Sequence, residues 1–333
     1  MSRAPRGGRL TIRDVAQDAG VSVATVSRVL AGSGTVAADL AQRVHESARR
    51  LGYTPHSAAQ SLARGRTRTV GVVVPNLANH YFYAIIKRML HDADRDGYRL
   101  LVADSDESLA AERDLGANLL RQTDGLILCS PRAASNVLHE FVRTGKPVLV
   151  LNRVVDDPRM SNVVVESYPA MRQLAQHVAD LGHRRVIYLQ GPVRSWQNKE
   201  RWRAVRTLSR QGIDLAAVRV GPTMEGGYQA VPQIVASGAT AVLAYNDLAA
   251  VGVIGGLAER GIRVPADISV TGYDDIPFAR YLNPPLTTVH SPQAEVGAVA
   301  WKTMSGQLDG QRPGLRTVLA AEPVIRQSTA AVR

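Results

Sequence analysis

Apolar residues over the first fifty positions recur at helical spacing. Ile12, Val15, Ala16 and Ala19 fall at i, i+3, i+4 and i+7, one apolar helix face, and Gly20 is placed to stop that helix. Thr11 with Asp14 three residues on reads as a variant of the capping box at its start. Ser22 can cap a second helix over 23–30, with Val26, Val29 and Leu30 facing inward. A Gly32-Ser33-Gly34 loop follows. A third helix, about 38–51, turns Leu40, Val44, Ala48 and Leu51 to one side and ends at Gly52. Three short helices on tight turns predict a helix-turn-helix module. From residue 69 the pattern changes. β-rich runs at 69–74, 98–103, 125–129 and 147–151, then at 185–189, 216–220, 240–245 and 267–271, alternate with stretches long enough for helices. One such stretch, 81–95, carries Ile85, Ile86, Met89 and Leu90. This alternation predicts two tandem α/β units with parallel sheets, each with helices on both faces.

Charge separates the two regions further. The 333 residues carry a formal net charge of +11, from 40 Lys and Arg against 29 Asp and Glu. Residues 1–69 hold 11 Arg and only four acids, Asp14, Asp18, Asp39 and Glu46, so the excess is concentrated there. A basic head on a nearly balanced body points to a polyanion partner, nucleic acid before membrane, although charge alone leaves a solvated basic tail open. In the second helix Val23, Ala24, Ser27 and Arg28 face away from the apolar stripe. Small residues there let the backbone sit deep in a major groove, and Arg28 can fork onto guanine O6 and N7 or onto a phosphate. Ser22, Thr25 and Ser27 can donate to phosphates beside the helix N-terminus.

Those residues are recognisable as a set. The run TIRDVAQDAGVSVATVSRVL at 11–30, followed by LGYTP at 51–55, closely resembles the headpiece of the LacI/GalR (lactose/galactose repressor) family of bacterial transcription regulators. It departs from the family pattern at Ala31, where Asn is frequent, and at Ala37, where a Ser usually caps the third helix. The resemblance implies double-stranded DNA with a palindromic operator as partner, contacted also by Thr11, Tyr53 and His56. The segment HSAAQSLARGRT at 56–67 resembles the family's hinge. It is at or below the roughly 12–15 residues that a lone helix needs in water, so it is expected to order only on DNA beside its mate from a second subunit. By the same resemblance Leu62 would wedge into the minor groove, flanked by Gln60 and Ala63, which implies a homodimer.

In parallel sheets of this kind ligands bind outside the carboxyl ends of the strands. The residues following the predicted strands are Pro75-Asn76, Asp104-Ser105, Ser130, Asn152-Arg153, Gly191-Pro192, Gly221-Pro222, Asn246-Asp247 and Tyr273-Asp274. Asn and Asp are also common helix caps, so any one of them is ambiguous; their recurrence predicts one polar cleft between two lobes. The resemblance extends over the body through LGHRRVI at 181–187, PADISV at 265–270, GYDD at 272–275, PLTTV at 285–289 and IRQST at 325–329. It implies a periplasmic-binding-protein-like sensor for a small polar effector, a sugar or related metabolite, contacted by Tyr81, Phe82, Asn152, Arg201, Asn246 and Asp274. Here the chain departs from the family at Glu166, Pro169 and Ala204.

No catalytic constellation stands out. There is no P-loop, Gly252 to Gly256 lies inside a predicted helix, and no His-Glu-x-x-His or Cys/His cluster suggests a metal or cofactor. Cys129 ends an apolar strand and reads as a buried thiol, and Trp196, Trp202 and Trp301 read as packing or cleft wall. His183, in a turn before a strand, reads as capping. One cysteine, no signal-like N-terminus and no apolar run of about 18 residues predict a cytoplasmic protein without a membrane partner. The expected organisation is a basic arm over 1–10, a DNA-binding domain over 11–55, a hinge over 56–68 and an effector-binding body over 69–333. Its first lobe would take about 69–166 and 292–322, its second about 167–291 and 323–333. The expected function is a ligand-responsive DNA-binding repressor and not an enzyme. A soluble sugar-binding transport component and a Rossmann-like enzyme share the body fold and are the alternatives.

Overall fold

Each of the first three helices carries its apolar residues on one side, and those sides close on one another. The computed structural model describes residues 10–30, 36–53 and 66–332, and the chain divides into two units, 1–68 and 69–333. In the first unit α1 (Ile12–Ala19), α2 (Val23–Leu30) and α3 (Ala38–Leu51) have the predicted bounds. The Asp14 carboxylate accepts from the Thr11 backbone N–H and hydroxyl, both at 2.7 Å, and Ser22 Oγ accepts from Thr25 N at 3.0 Å. Gly20 ends α1 in the left-handed region at φ 64°, a conformation that an L side chain would strain. Val15, Ala16, Ala19, Val26, Val29, Val44 and Ala48 form the core. Asp18 ties α1 to α3 by accepting from Ser47 Oγ and Arg50 Nη2, each at 2.5 Å. Ala37 supplies no side-chain cap to α3, as its departure from the family pattern implies. The other departure, Ala31, and the candidate DNA contacts His56, Gln60, Leu62 and Ala63 lie outside the described residues.

Among its described residues the second unit holds twelve strands. The first sheet takes β1 (Thr69–Val74), β2 (Arg99–Asp104), β3 (Gly125–Cys129), β4 (Val148–Leu151), β5 (Met160–Val165) and β11 (Arg316–Leu319), all parallel, in the order β11-β5-β4-β3-β1-β2. The second takes β6 (Arg185–Gln190), β7 (Asp214–Arg219), β8 (Ala241–Ala244) and β9 (Ser269–Thr271) in the parallel order β7-β6-β8-β9. An antiparallel pair, β10 (Thr288–His290) with β12 (Glu322–Val324), stands beside it.

The helices of this unit are α4 (His80–Arg95), α5 (Leu109–Gln122), α6 (Ser135–Val142), α7 (Ser167–Asp180) and α8 (Trp196–Val205). They continue with α9 (Met224–Gln229), α10 (Val231–Ala236), α11 (Asp247–Ala258) and α12 (Gln293–Leu308). Among the described residues, none is long and apolar enough to cross a membrane. β1, β3, β4 and β5 are buried almost throughout, as strands covered on both faces must be. The 252–256 glycines do lie in a helix, and they explain how α9 and α11 pack. A Cβ at Gly252 would stand 1.9 Å from the Met224 carbonyl oxygen, and one at Gly227 would stand 2.0 Å from that of Ala249. Only glycine permits that approach.

Candidate functional site

The chain passes between the two sheets near 166–167, 291–293 and 320–322, and the carboxyl ends of the strands face one cleft. In the first sheet β1 and β3 flank the point where strand order reverses, and in the second β6 and β8 do so. The cleft is lined from the first lobe by Asn79, Tyr81 and Phe82 at the start of α4 and by Ser130 and Arg132 after β3. From the second lobe come Gln197 and Arg201 on α8, Pro222, Tyr245 and Asp274. Asn79 caps α4 by accepting from Tyr81 N at 3.0 Å, which fixes where both aromatic rings enter. The free space is about 20 Å³, room for about one water, so this is a closed cleft.

Arg201 dominates the second-lobe wall. It is buried, donates from Nη1 to the Tyr245 carbonyl at 2.6 Å and from Nη2 to Asp274 Oδ1 at 3.3 Å. Its guanidinium carbon lies 3.4 Å from the centre of the Tyr273 ring. Burial pushes the Asp274 carboxyl up to about 7, against the opposing pull of Arg201. Arg201 itself is held above its ordinary range by Asp274 and the surrounding tyrosines, although burial opposes this. Burial likewise raises the Tyr81 phenol. Two buried atoms here lack a hydrogen-bond partner, Arg201 Nε and Asn152 Oδ1. One is a donor and one an acceptor, so each is left for a water or another polar group to satisfy.

Backbone strain gathers at the same strand ends. Asp106, Glu107, Ser130, Asn152, Asp274 and Asp275 are non-glycine residues with φ between 46° and 115°. Each such residue costs about 1–3 kcal/mol and persists where its surroundings hold it. Asp274 is held by its N–H to the Val289 carbonyl at 3.0 Å and by Gln293, which donates to the Asp274 carbonyl from the first turn of α12, on the other lobe. Behind it, buried Asp247 accepts from Thr288 Oγ1 at 2.5 Å and from Ile276 N at 2.8 Å.

Of the six residues expected to contact an effector, Tyr81, Phe82, Arg201 and Asp274 line the cavity. The other two sit one step back. Asn152 Nδ2 donates to Tyr81 Oη at 2.8 Å; Asn246 caps α11 through Ala249 N at 3.0 Å and donates to the Pro222 carbonyl at 2.9 Å. Sequence reasoning passed over Arg132, Gln197 and Tyr245. The signal for Tyr245 was adjacency to the singled-out Asn246, and for Arg132 its place two residues after Ser130. Cys129 is buried with its thiol pushed up to about 12. Trp202 stacks on Tyr188 at 5.4 Å between ring centres, and Trp301 donates to Asp96 at 2.6 Å. His183 is more than a turn cap: its ring meets Thr240 Oγ1, Ser269 Oγ and the Ala330 carbonyl at 2.9–3.1 Å, tying the C-terminal segment to β9.

On α2, Val23 is 42% exposed and Ala24 and Arg28 are exposed, so the base-reading candidates stand clear of the core. Ser22 and Thr25 hydroxyls lie 2.8 Å apart, and Tyr53 packs against the headpiece core. Among the described residues no group of three or more His, Cys, Asp or Glu is arranged to hold a metal ion.

Comparison with known proteins fits both regions. Residues 11–56 match the profile of bacterial regulatory proteins of the lacI family, and residues 175–329 match the periplasmic binding protein-like domain. The HTH-type transcriptional regulator GalS of Salmonella typhimurium is 35% identical over 300 residues, covering 87% of this chain and 88% of that protein. The HTH-type transcriptional repressor CytR of Escherichia coli is 30% identical over 330 residues, covering 97% of each. The lac repressor dimer, solved bound to operator and the anti-inducer ONPF, superposes with a TM-score of 0.85 at 29% identity, covering 97% of this chain and all of that one.

Proposed function

This chain belongs to the lacI family of bacterial regulatory proteins, and we propose that it is a cytoplasmic repressor whose hold on a palindromic operator is set by a small polar effector, a sugar or similar metabolite, bound between its two lobes. In this reading residues 11–55 bind DNA, with Val23, Ala24 and Arg28 reading bases, Thr11, Ser22, Thr25, Ser27, Tyr53 and His56 placing the helix on the duplex, and Gln60, Leu62 and Ala63 in a hinge that pairs across a homodimer. The effector meets Tyr81, Phe82, Arg201 and Asp274, with Asn152 and Asn246 behind them. The chain performs no catalysis. An effector acts only through its different affinities for the two states of the protein, and closure of the cleft is the step that distinguishes them.

The observation that carries the effector half is the buried Arg201–Asp274 pair with Arg201 Nε and Asn152 Oδ1 left unpaired beside it. Asp274 can accept from two vicinal hydroxyls, and Arg201 has a donor to offer. A thermal-shift screen of sugars, polyols and nucleosides tests this: a binder raises the midpoint, and Arg201→Ala removes the rise. A binder that shifts both proteins equally places the effector elsewhere. Titration of random duplex DNA against salt tests the DNA half, with affinity falling steeply as salt rises. A flat response rejects it.

A further inference from the structure

The cleft has a second buried arginine, and its surroundings bear on what an effector can be. Arg132, 6% exposed, lines the cavity from the first lobe. Glu107 grips its guanidinium in a two-point fork, with Nε to Oε2 at 2.8 Å and Nη2 to Oε1 at 3.0 Å, while Nη1 donates to the Ser130 carbonyl at 2.7 Å. Glu112, 2% exposed, accepts from the backbone N–H groups of Arg132 and Ala133 at 2.7 and 2.9 Å and fixes where the loop sits. The chain strains to bring Glu107 there: Asp106 and Glu107 are consecutive non-glycine residues in the left-handed region, at φ 47° and 56°.

The result is a charge balance. Of the residues lining the cavity, the arginine and acidic side chains are Arg132, Arg201 and Asp274. Arg201 has Asp274 as its counter-charge, and Arg132 has Glu107. A bound phosphate or carboxylate would have to displace Glu107 from the Arg132 fork, the geometry that Arg offers such anions, or sit against the buried Asp274 carboxylate. A hydroxyl needs neither, because Arg132 retains one further N–H on each terminal nitrogen and Arg201 retains Nε.

We propose that the Glu107–Arg132 clamp sets the charge class of the effector: the cleft takes an uncharged polyhydroxyl ligand and rejects phosphorylated and carboxylated sugars. This rests on the reading of the cleft as the effector site. Glu107 acts here as a positioning residue, through Arg132.

The test uses the full-length chain and inorganic sulfate as the probe, titrated calorimetrically at ionic strength held constant with chloride. Wild type and Glu107→Asp show no saturable sulfate binding. Glu107→Gln, which leaves Arg132 without its carboxylate, acquires sulfate binding at least tenfold tighter than wild type, and adding Arg132→Met abolishes it. Failure of Glu107→Gln to gain sulfate binding, with its melt showing a folded protein, overturns the proposal. So does saturable binding of sulfate, ribose 5-phosphate or galacturonate to wild type that Arg132→Met removes. If wild type ignores D-ribose, D-galactose and cellobiose while Glu107→Gln gains sulfate, the charge assignment stands and the cleft as a sugar site falls.

Discussion

Two arginines, Arg28 and Arg201, are the donors proposed for the two halves of this molecule, and they are placed by opposite means. Arg28 is exposed on an eight-residue helix, with its Nε bonded one turn back to the Ala24 carbonyl at 3.3 Å. Arg201 is 4% exposed and is oriented by Tyr245 and Asp274, 44 and 73 residues further along the chain. A surface that meets a large, strongly charged partner can leave desolvation to the moment of binding. A site that must respond to one small molecule gains from having its donors already out of water and held rigid, because a small ligand supplies few contacts to order them. The price is a buried charge pair that destabilises the fold whenever it is broken.

That contrast yields the largest expected effect. Asp274→Ala leaves the Arg201 cation buried without its counter-charge, which costs about 3–5 kcal/mol of stability and removes the effector response. Denaturant unfolding measures the first, and operator affinity with and without a ligand found by thermal shift measures the second. A loss below about 1 kcal/mol, within the range of a surface ion pair, would mean that water reaches this pair and that the two arginines differ less than their burial indicates.

The same contrast explains what the sequence disclosed. The bounds of α1, α2 and α3 were legible, since capping, helix period and stop glycines are all local signals. Leu40, read as turned inward on α3, is not part of the core, where Ala41 packs instead. The eight predicted strands appear, β1 and β3 with their predicted bounds and the rest with ends moved by one or two residues, but β5, β10, β11 and β12 went unread. β10, β11 and β12 are three or four residues long and take part in the crossings between lobes, where partners come from distant chain. Within the cleft, strand-end position found Asn152, Asn246 and Asp274, whereas Arg132 depends on the conformation of the loop after β3 and Gln197 on the placement of α8. The left-handed backbone at Asp106 and Glu107 that brings Glu107 to Arg132 has no glycine to announce it.

The next effect tests the exposed partner of the comparison. Arg28→Ala should weaken specific operator binding by about 1–3 kcal/mol and leave effector affinity and unfolding midpoint unchanged. Binding to operator and to random duplex, measured in one salt, separates its roles: an equal loss on both would make Arg28 a phosphate contact.

A further effect is visible through pH. The Asp274 pKa is raised from 3.8 to about 7, so between those values the native state holds a proton that the unfolded chain has released. Its stabilising contribution is therefore fully present below about pH 4 and lost as pH rises through about 7, at no more than about 1.4 kcal/mol per pH unit. His177 and His183, lowered by burial, have the opposite sign: their contribution is lost as pH falls. Comparison with Asp274→Asn cancels them. Wild type should lose ground to Asp274→Asn between pH 5 and 8, and a constant gap between the two melts would show that Asp274 stays ionised throughout.

The smallest effect returns to the headpiece. Ala37 occupies the N-cap position of α3 with extended-type dihedrals of −56° and 142°, but its methyl cannot accept from the free N–H groups of the first turn. Water must satisfy them, and Ala37 is exposed, so it can. Ala37→Ser supplies the missing acceptor without disturbing any packed atom and should stabilise α3 by about 1 kcal/mol. Because α3 meets α1 through the Asp18, Ser47 and Arg50 contacts, this gain should spread to the whole headpiece. The body unit should not feel it, because the two units have separate cores. Native-state hydrogen exchange resolves the two: protection should rise in α1, α2 and α3 and stay unchanged in the strands of the body. Equal rises in both would mean that headpiece and body unfold as one cooperative unit, and that a cap on α3 stabilises the cleft as much as the DNA surface.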